Sequence, residues 1–96
     1  MLHLISQITV DDSILQRIAA DDVVVILDGA VLRTLYKSNK AIALTDLLRY
    51  SRCCVLNEHL LRYGILEEEI INGIEIIDYV TLVNLTLTHP LIQTWN

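Results

Sequence analysis

Two short segments of the chain have apolar residues at consecutive positions rather than at every second position. The first is VVVIL, over Val23–Leu27, and the second is RCCVL, over Arg52–Leu56. A strand with one solvated face alternates apolar and polar residues, because successive side chains point to opposite faces. Consecutive apolar residues therefore predict strands that are buried on both faces, as in a parallel sheet covered by helices.

The other segments alternate between strand-like and helix-like patterns. MLHLIS at the start and IEIID, over Ile74–Asp78, are further predicted strands. VDDSILQRIAADD is a predicted helix with Asp11 or Asp12 as its N-cap, AVLRTLY is a short helix, and ALTDLLRYS is a helix with Thr45 as a candidate cap. This order of elements is typical of α/β proteins.

Two later segments complete the pattern. Asn57 is suited to cap the helix EHLLRYG, and Gly64 tolerates the left-handed conformation that closes a helix. YVTLVNLTLTHP is ambiguous, because Asp78 and Pro90 are good helix boundaries whereas NLTLT alternates with period two, and we interpret it as a helix. We predict a single α/β domain over residues 1–96, with a mostly parallel sheet of about four to five strands and helices on both faces.

Composition and charge restrict the classes of function. Of the 96 residues, 53% are hydrophobic, and the formal net charge is −5. This apolar content exceeds the roughly 45–50% of soluble domains and predicts a surface that is buried against a partner. Without a run of lysine or arginine we expect no direct binding of nucleic acid. Without an apolar stretch of roughly 18–20 residues or a signal-peptide pattern we expect a cytoplasmic protein that does not enter a membrane.

The adjacent Cys53 and Cys54 are the candidate catalytic residues. Neighbouring cysteines do not easily form a disulfide with each other, and on a strand their side chains point to opposite faces. A reactive thiol needs an exposed, electropositive environment, whereas a free cysteine inside an apolar run packs as a small hydrophobic residue. We therefore predict that both thiols belong to the core.

Asp28 and Gly29 follow the first of the buried strands and are a candidate pocket or interface. Ligands of open α/β sheets bind outside the carboxyl ends of the strands, although Asp-Gly is also common in ordinary turns. The chain has no glycine-rich phosphate-binding motif and no histidine or cysteine pair at metal-ligand spacing, so we expect no cofactor and no metal. We interpret His59 as a surface residue of its helix.

Two further features bear on contacts at the surface. Trp95 is the only tryptophan, and we expect it to pack against the body of the domain or a neighbouring subunit. We predict that the acidic segment LEEEI is exposed to solvent; the alternative is that it binds a basic partner.

Several of these segments, taken together and in order, resemble the DsrH/TusB family. They are MLHLI, ILDGAV, VLNEHLLRYGI, IEIIDYVTLVNLTLTHP and the terminal tryptophan. The resemblance implies a DsrE-like fold and a cytoplasmic subunit of a heterohexamer, with TusC-like and TusD-like subunits and two copies of each. It also implies that the complex relays persulfide sulfur, through a downstream acceptor protein, toward 2-thiolation of modified uridine at the tRNA wobble position.

The resemblance also bears on the two cysteines. In this family's complexes the essential carrier cysteine lies on the TusD-type subunit, and related DsrH proteins carry a cysteine in the first helical region, where this chain has SILQRIAA. Two hypotheses from different classes stay open at this point: a non-catalytic subunit of the relay, and a sulfurtransferase in its own right with Cys53 or Cys54 as persulfide carrier. A small-ligand module at Asp28 is a third.

Overall fold

The computed structural model describes residues 1–95, in which five strands alternate with helices. The strands are β1 (Leu2–Ile5), β2 (Val23–Ile26), β3 (Arg52–Leu56), β4 (Glu75–Ile77) and β5 (Ile92–Trp95). The α-helices are α1 (Asp12–Leu15), α2 (Ala41–Leu47), α3 (Asn57–Arg62) and α4 (Tyr79–Thr88), and two 3-10 helices cover Asp28–Thr34 and Glu67–Glu69. The predicted α/β class is confirmed, and every strand pair is parallel.

The sheet has the strand order β4-β3-β2-β1-β5. The chain therefore moves in one direction from β1 to β4 and then returns to place β5 on the other side of β1. In the register, His3 pairs with Val24 and Val24 with Cys53, so these three side chains share one face of the sheet. The order reverses between β1 and β5, which is the topological switch point of this sheet.

The two faces of the sheet are covered unequally. One face packs against α1, α2 and α3 in a large apolar cluster that includes Leu15, Leu47 and Leu60. The other face has a smaller cluster, to which α4 contributes Leu85 and the half-buried Leu82. The predicted helices on both faces are confirmed, but a single helix covers the second face.

Several predicted helix boundaries are confirmed. The carboxylate of Asp11 accepts a hydrogen bond from the Ser13 amide at 2.8 Å, and that of Asp78 accepts one from the Thr81 amide at 2.8 Å. Gly64 has φ = 68°, the left-handed conformation predicted at the end of α3. The ambiguous segment YVTLVNLTLTHP forms α4 over Tyr79–Thr88, with Asp78 as its N-cap, so its interpretation as a helix is confirmed.

Two predicted helix caps are wrong, and one predicted helix differs in type and bounds. Thr45 lies inside α2, where its hydroxyl donates to the Ala41 carbonyl, and no side chain caps that helix. Asn57 is the first residue of α3 rather than its cap, which is Leu56. The predicted helix AVLRTLY is present only over residues 30–34, as the end of a 3-10 helix that begins at Asp28. In each case the tertiary position of the segment overrides a weak local preference.

The fifth strand lies in the last eight residues, for which the sequence predicted only a packed Trp95. Leu2 to Ile5 pair with Ile92 to Trp95 along the edge of the sheet. Three of the four residues of β5 are exposed, so its sequence lacks the apolar pattern of a buried strand. Within residues 1–95, no helix is both long and apolar enough to span a bilayer.

Candidate functional site: a polar cluster at the carboxyl edge of the sheet

Asp28 is the first residue beyond the carboxyl end of β2 that departs from ordinary backbone geometry. Its φ is 47°, the left-handed region that glycine adopts readily and aspartate tolerates. Its backbone N–H donates to Nδ1 of His59 at 2.8 Å, and this bond holds the turn in place. Backbone strain of this kind is frequent at functional sites and persists only where surrounding contacts stabilise it.

His59 is buried beneath this turn, so its interpretation as a surface helix residue is wrong. Only 7% of the residue is exposed, and the Asp28 N–H on Nδ1 places the proton of the neutral ring on Nε2. Nε2 lies 3.2 Å from the hydroxyl of Tyr79, to which it therefore donates. The phenolic proton of Tyr79, a half-exposed residue, is then free to donate outward from the edge of the sheet.

Arg62 adds a cation on the solvent side of the cluster. Its guanidinium Nη1 donates to Oδ1 of Asp28 at 3.4 Å, and both side chains are more than half exposed. Gly29 lies beside Tyr63, whose hydroxyl is 3.6 Å from the position that a Cβ on Gly29 would occupy. The candidate residues Asp28 and Gly29 are thus part of a polar cluster built from the ends of β2, β3 and β4.

The chemistry of this cluster is that of hydrogen bonding and charge. It presents a hydroxyl, a guanidinium and a carboxylate to solvent, and a buried imidazole orients the hydroxyl. No thiol belongs to it, and the described residues contain no group of three or more His, Cys, Asp or Glu side chains that could hold a metal ion. The cluster lies along β2 to β4 and is therefore one strand away from the switch point between β1 and β5.

Cys53 and Cys54 lie in the middle of β3, away from the carboxyl edge. They are 1% and 0% exposed, and they belong to the clusters on opposite faces of the sheet, as predicted. Burial raises the pKa of the Cys53 thiol far above its ordinary range and that of Cys54 to about 11. Neither thiol is therefore available as a thiolate near neutral pH.

Trp95 packs against the body of the domain, which is the first of the two predicted alternatives. Its indole Nε1–H donates to Nδ1 of His3 at 3.1 Å, and the two rings stack at a distance of 6.3 Å between centroids. Nε2 of His3 in turn donates to Asp22 at 2.8 Å, and this hydrogen bond is the main cause that lowers the pKa of Asp22 to about 2. The network ties β5 to β1 and to the loop before β2.

Asp28 and Gly29 were predicted from the sequence as site residues, whereas His59 and Tyr79 were not. His59 lies on a short helix with a mixed pattern, and Tyr79 begins the helix whose assignment was ambiguous. The one available signal was topological: both follow directly on predicted strands, and the carboxyl ends of neighbouring parallel strands lie at the same edge of the sheet.

The structure is that of a small α/β domain with an all-parallel five-stranded sheet, a polar cluster at the carboxyl edge of the sheet and two buried thiols. The chain belongs to the family of DsrH-like proteins, whose family model matches residues 7–91. Membership in this family indicates a role related to sulfur relay. No curated protein matches the chain.

The fold is shared with proteins whose structures have been solved, one of which we describe. It is a protein of unknown function, MTH1491 from Methanobacterium thermoautotrophicum, with a TM-score of 0.77 and 15% sequence identity. The match covers 98% of this chain and 96% of the other. At this identity the likeness supports the fold alone, and the five-stranded α/β architecture is therefore common to both proteins.

Proposed function

We propose that this chain is a non-catalytic subunit of a cytoplasmic sulfur-relay complex. The complex contains TusC-like and TusD-like subunits, two copies of each of the three chains, and passes persulfide sulfur to a downstream acceptor and toward 2-thiolation of modified uridine at the tRNA wobble position. The observation that carries the proposal is the burial of both thiols in a member of the DsrH-like family.

Persulfide transfer requires an accessible thiolate. The thiolate of the acceptor bonds to the outer sulfur of the donor persulfide, the S–S bond breaks, and the electron pair leaves with the donor cysteine. Burial raises the pKa of Cys54 to about 11, so this thiol is protonated at neutral pH, and its sulfur is closed off from solvent. The reacting cysteines of the relay therefore belong to the partner subunits.

A subunit of an assembly needs a surface to bind its partners, and α4 offers one. Val80, Val83 and Leu87 point to the same side of this helix and are 68%, 53% and 77% exposed. The whole segment from residue 79 to residue 95 contains no Asp, Glu, Lys or Arg. Exposed apolar side chains without charged neighbours are typical of the buried centre of an interface.

Co-expression with the two paralogous subunits of the same host tests the proposal. We expect one complex by size-exclusion chromatography, and loss of wobble-uridine thiolation from a strain that lacks this chain. The double variant Val80→Lys/Leu87→Lys should leave the isolated chain folded, because both side chains are exposed, and should prevent assembly.

The matched control is Ile42→Lys, which changes a 75% exposed aliphatic side chain on α2, at the opposite face of the sheet. This variant should assemble normally. A wild-type chain that stays monomeric beside its folded paralogues, or a deletion strain with normal thiolation, would show that the proposed function is wrong.

A further inference from the structure

A groove opens beside β4, at the edge of the sheet furthest from β5. Its volume is about 420 Å³, which lies within the roughly 300–1,000 Å³ of ligand pockets. Glu67 and Glu68 of the second 3-10 helix line it together with Asn72, Gly73 and four isoleucines: Ile70, Ile71, Ile74 and Ile76. Ile71 and Ile74 are buried, so the half-buried Ile70 and Ile76 supply most of the apolar surface that an occupant could reach. The groove therefore combines polar and apolar surface and carries two carboxylates.

The strand that borders this groove has a free backbone edge. β4 pairs with β3 on one side, and no other described strand lies beyond it. Proteins usually protect such an edge with a charge, a proline or a covering element. The one charge on β4, at Glu75, is neutralised by a two-point hydrogen-bonded ion pair with Arg52 at 2.8 Å. The edge is thus open to an extended segment, although β4 is too short for backbone pairing alone to bind one tightly.

The charges at the rim select the kind of occupant. Glu67 and Glu68 are exposed, and within residues 1–95 neither has an ion-pair partner, whereas the carboxylate of Glu69 accepts the Leu66 N–H at 2.9 Å. Free carboxylates beside the half-buried Ile70 and Ile76 attract a cation that is attached to an apolar group. They repel the phosphates of a nucleic acid.

We propose that this groove binds an extended segment of a partner protein that carries an aliphatic residue and a lysine or arginine two positions apart. Residues two apart on an extended chain point to the same side, so the aliphatic side chain lies on Ile70 and Ile76 while the cation reaches the two glutamates. Peptides bind in this way to the free edges of other sheets. This interaction does not depend on the proposed role in sulfur relay.

The test uses the full chain, labelled with ¹⁵N, and an acetylated and amidated probe peptide of sequence Ser-Lys-Ser-Val-Ser-Lys-Ser. We expect amide shifts at residues 70–76 on titration, and weaker binding as salt rises because exposed charges are screened. The double variant Glu67→Gln/Glu68→Gln keeps the shape of the rim and should lower the affinity roughly three- to tenfold, since each exposed ion pair contributes little. Replacement of the valine of the peptide by serine should also weaken binding.

The matched control is Asp21→Asn/Asp46→Asn, which removes two exposed charges elsewhere and should bind the peptide as the wild type does. The proposal is overturned if the shifts map to another surface, or if the glutamine variant binds unchanged. It is equally overturned if a peptide with glutamate in place of lysine, an oligouridylate or a second copy of the chain occupies residues 70–76 in preference to the basic peptide.

Discussion

Replacement of Cys53 and Cys54 by alanine separates the two roles that a cysteine pair can have in a sulfur-relay protein. Each change removes one buried sulfur atom and leaves a small cavity. Cys53 packs with Val24 and Val55 in the cluster of the larger face, and Cys54 packs with Val25 and Leu56 in the cluster of the other face. The lost burial and the cavity should cost about 1–2 kcal/mol for each substitution.

Because the two side chains lie in separate clusters, the costs should add to about 2–4 kcal/mol. A domain with an unfolding free energy of roughly 5–15 kcal/mol remains folded after such a loss. We therefore expect a lower midpoint of urea unfolding with an unchanged denaturant slope, and a complex that still assembles.

The decisive assay is the amount of 2-thiolated wobble uridine in tRNA from a strain whose only copy is the double alanine variant. We expect it to be nearly the same as in the wild type, with the abundance of the complex measured in parallel. Loss of thiolation at normal abundance of the complex would identify one of these cysteines as a carrier, and the assignment of both thiols to the core would be wrong.

Two further predictions concern the polar networks. His59→Phe leaves the Asp28 N–H and the Tyr79 hydroxyl without their partner and should lower the unfolding free energy by about 1–3 kcal/mol. Tyr79→Phe should lower it less, because it removes only one of the two hydrogen bonds. A His59→Phe variant as stable as the wild type would contradict these hydrogen bonds. The pKa of Asp22 falls from 3.8 to about 2 on folding, so its carboxylate stabilises the protein above about pH 4 and this contribution is lost as the pH falls toward 2. Asp22→Asn should therefore be less stable near neutral pH, by about 2 kcal/mol, and should lose less stability on acidification; parallel pH profiles of urea unfolding would refute this.

Local patterns in the sequence were sufficient for the elements that are buried on both sides. The consecutive apolar residues of β2 and β3 mark them as central strands, since only a sheet with two covered faces accommodates such a pattern. The opposite orientation of Cys53 and Cys54 follows from the same geometry, because successive residues of any strand point to opposite faces. Asp11, Asp78 and Gly64 likewise act through bonds or torsions of their own segments.

The residues that meet at the carboxyl edge are brought together by contacts between segments that are distant in the sequence. The burial and hydrogen bonding of His59 depend on the turn at Asp28, 31 positions earlier, and on Tyr79, 20 positions later. Neither contact can be predicted from local periodicity. Long-range contacts also determine β5. This segment is a strand because it pairs with the edge of β1 and because Trp95 donates a hydrogen bond to His3, 92 positions away. Apolar periodicity in the sequence indicates whether a side chain is buried. The partner of a polar side chain depends instead on which parallel strands lie side by side, because that order determines which strand ends are close together.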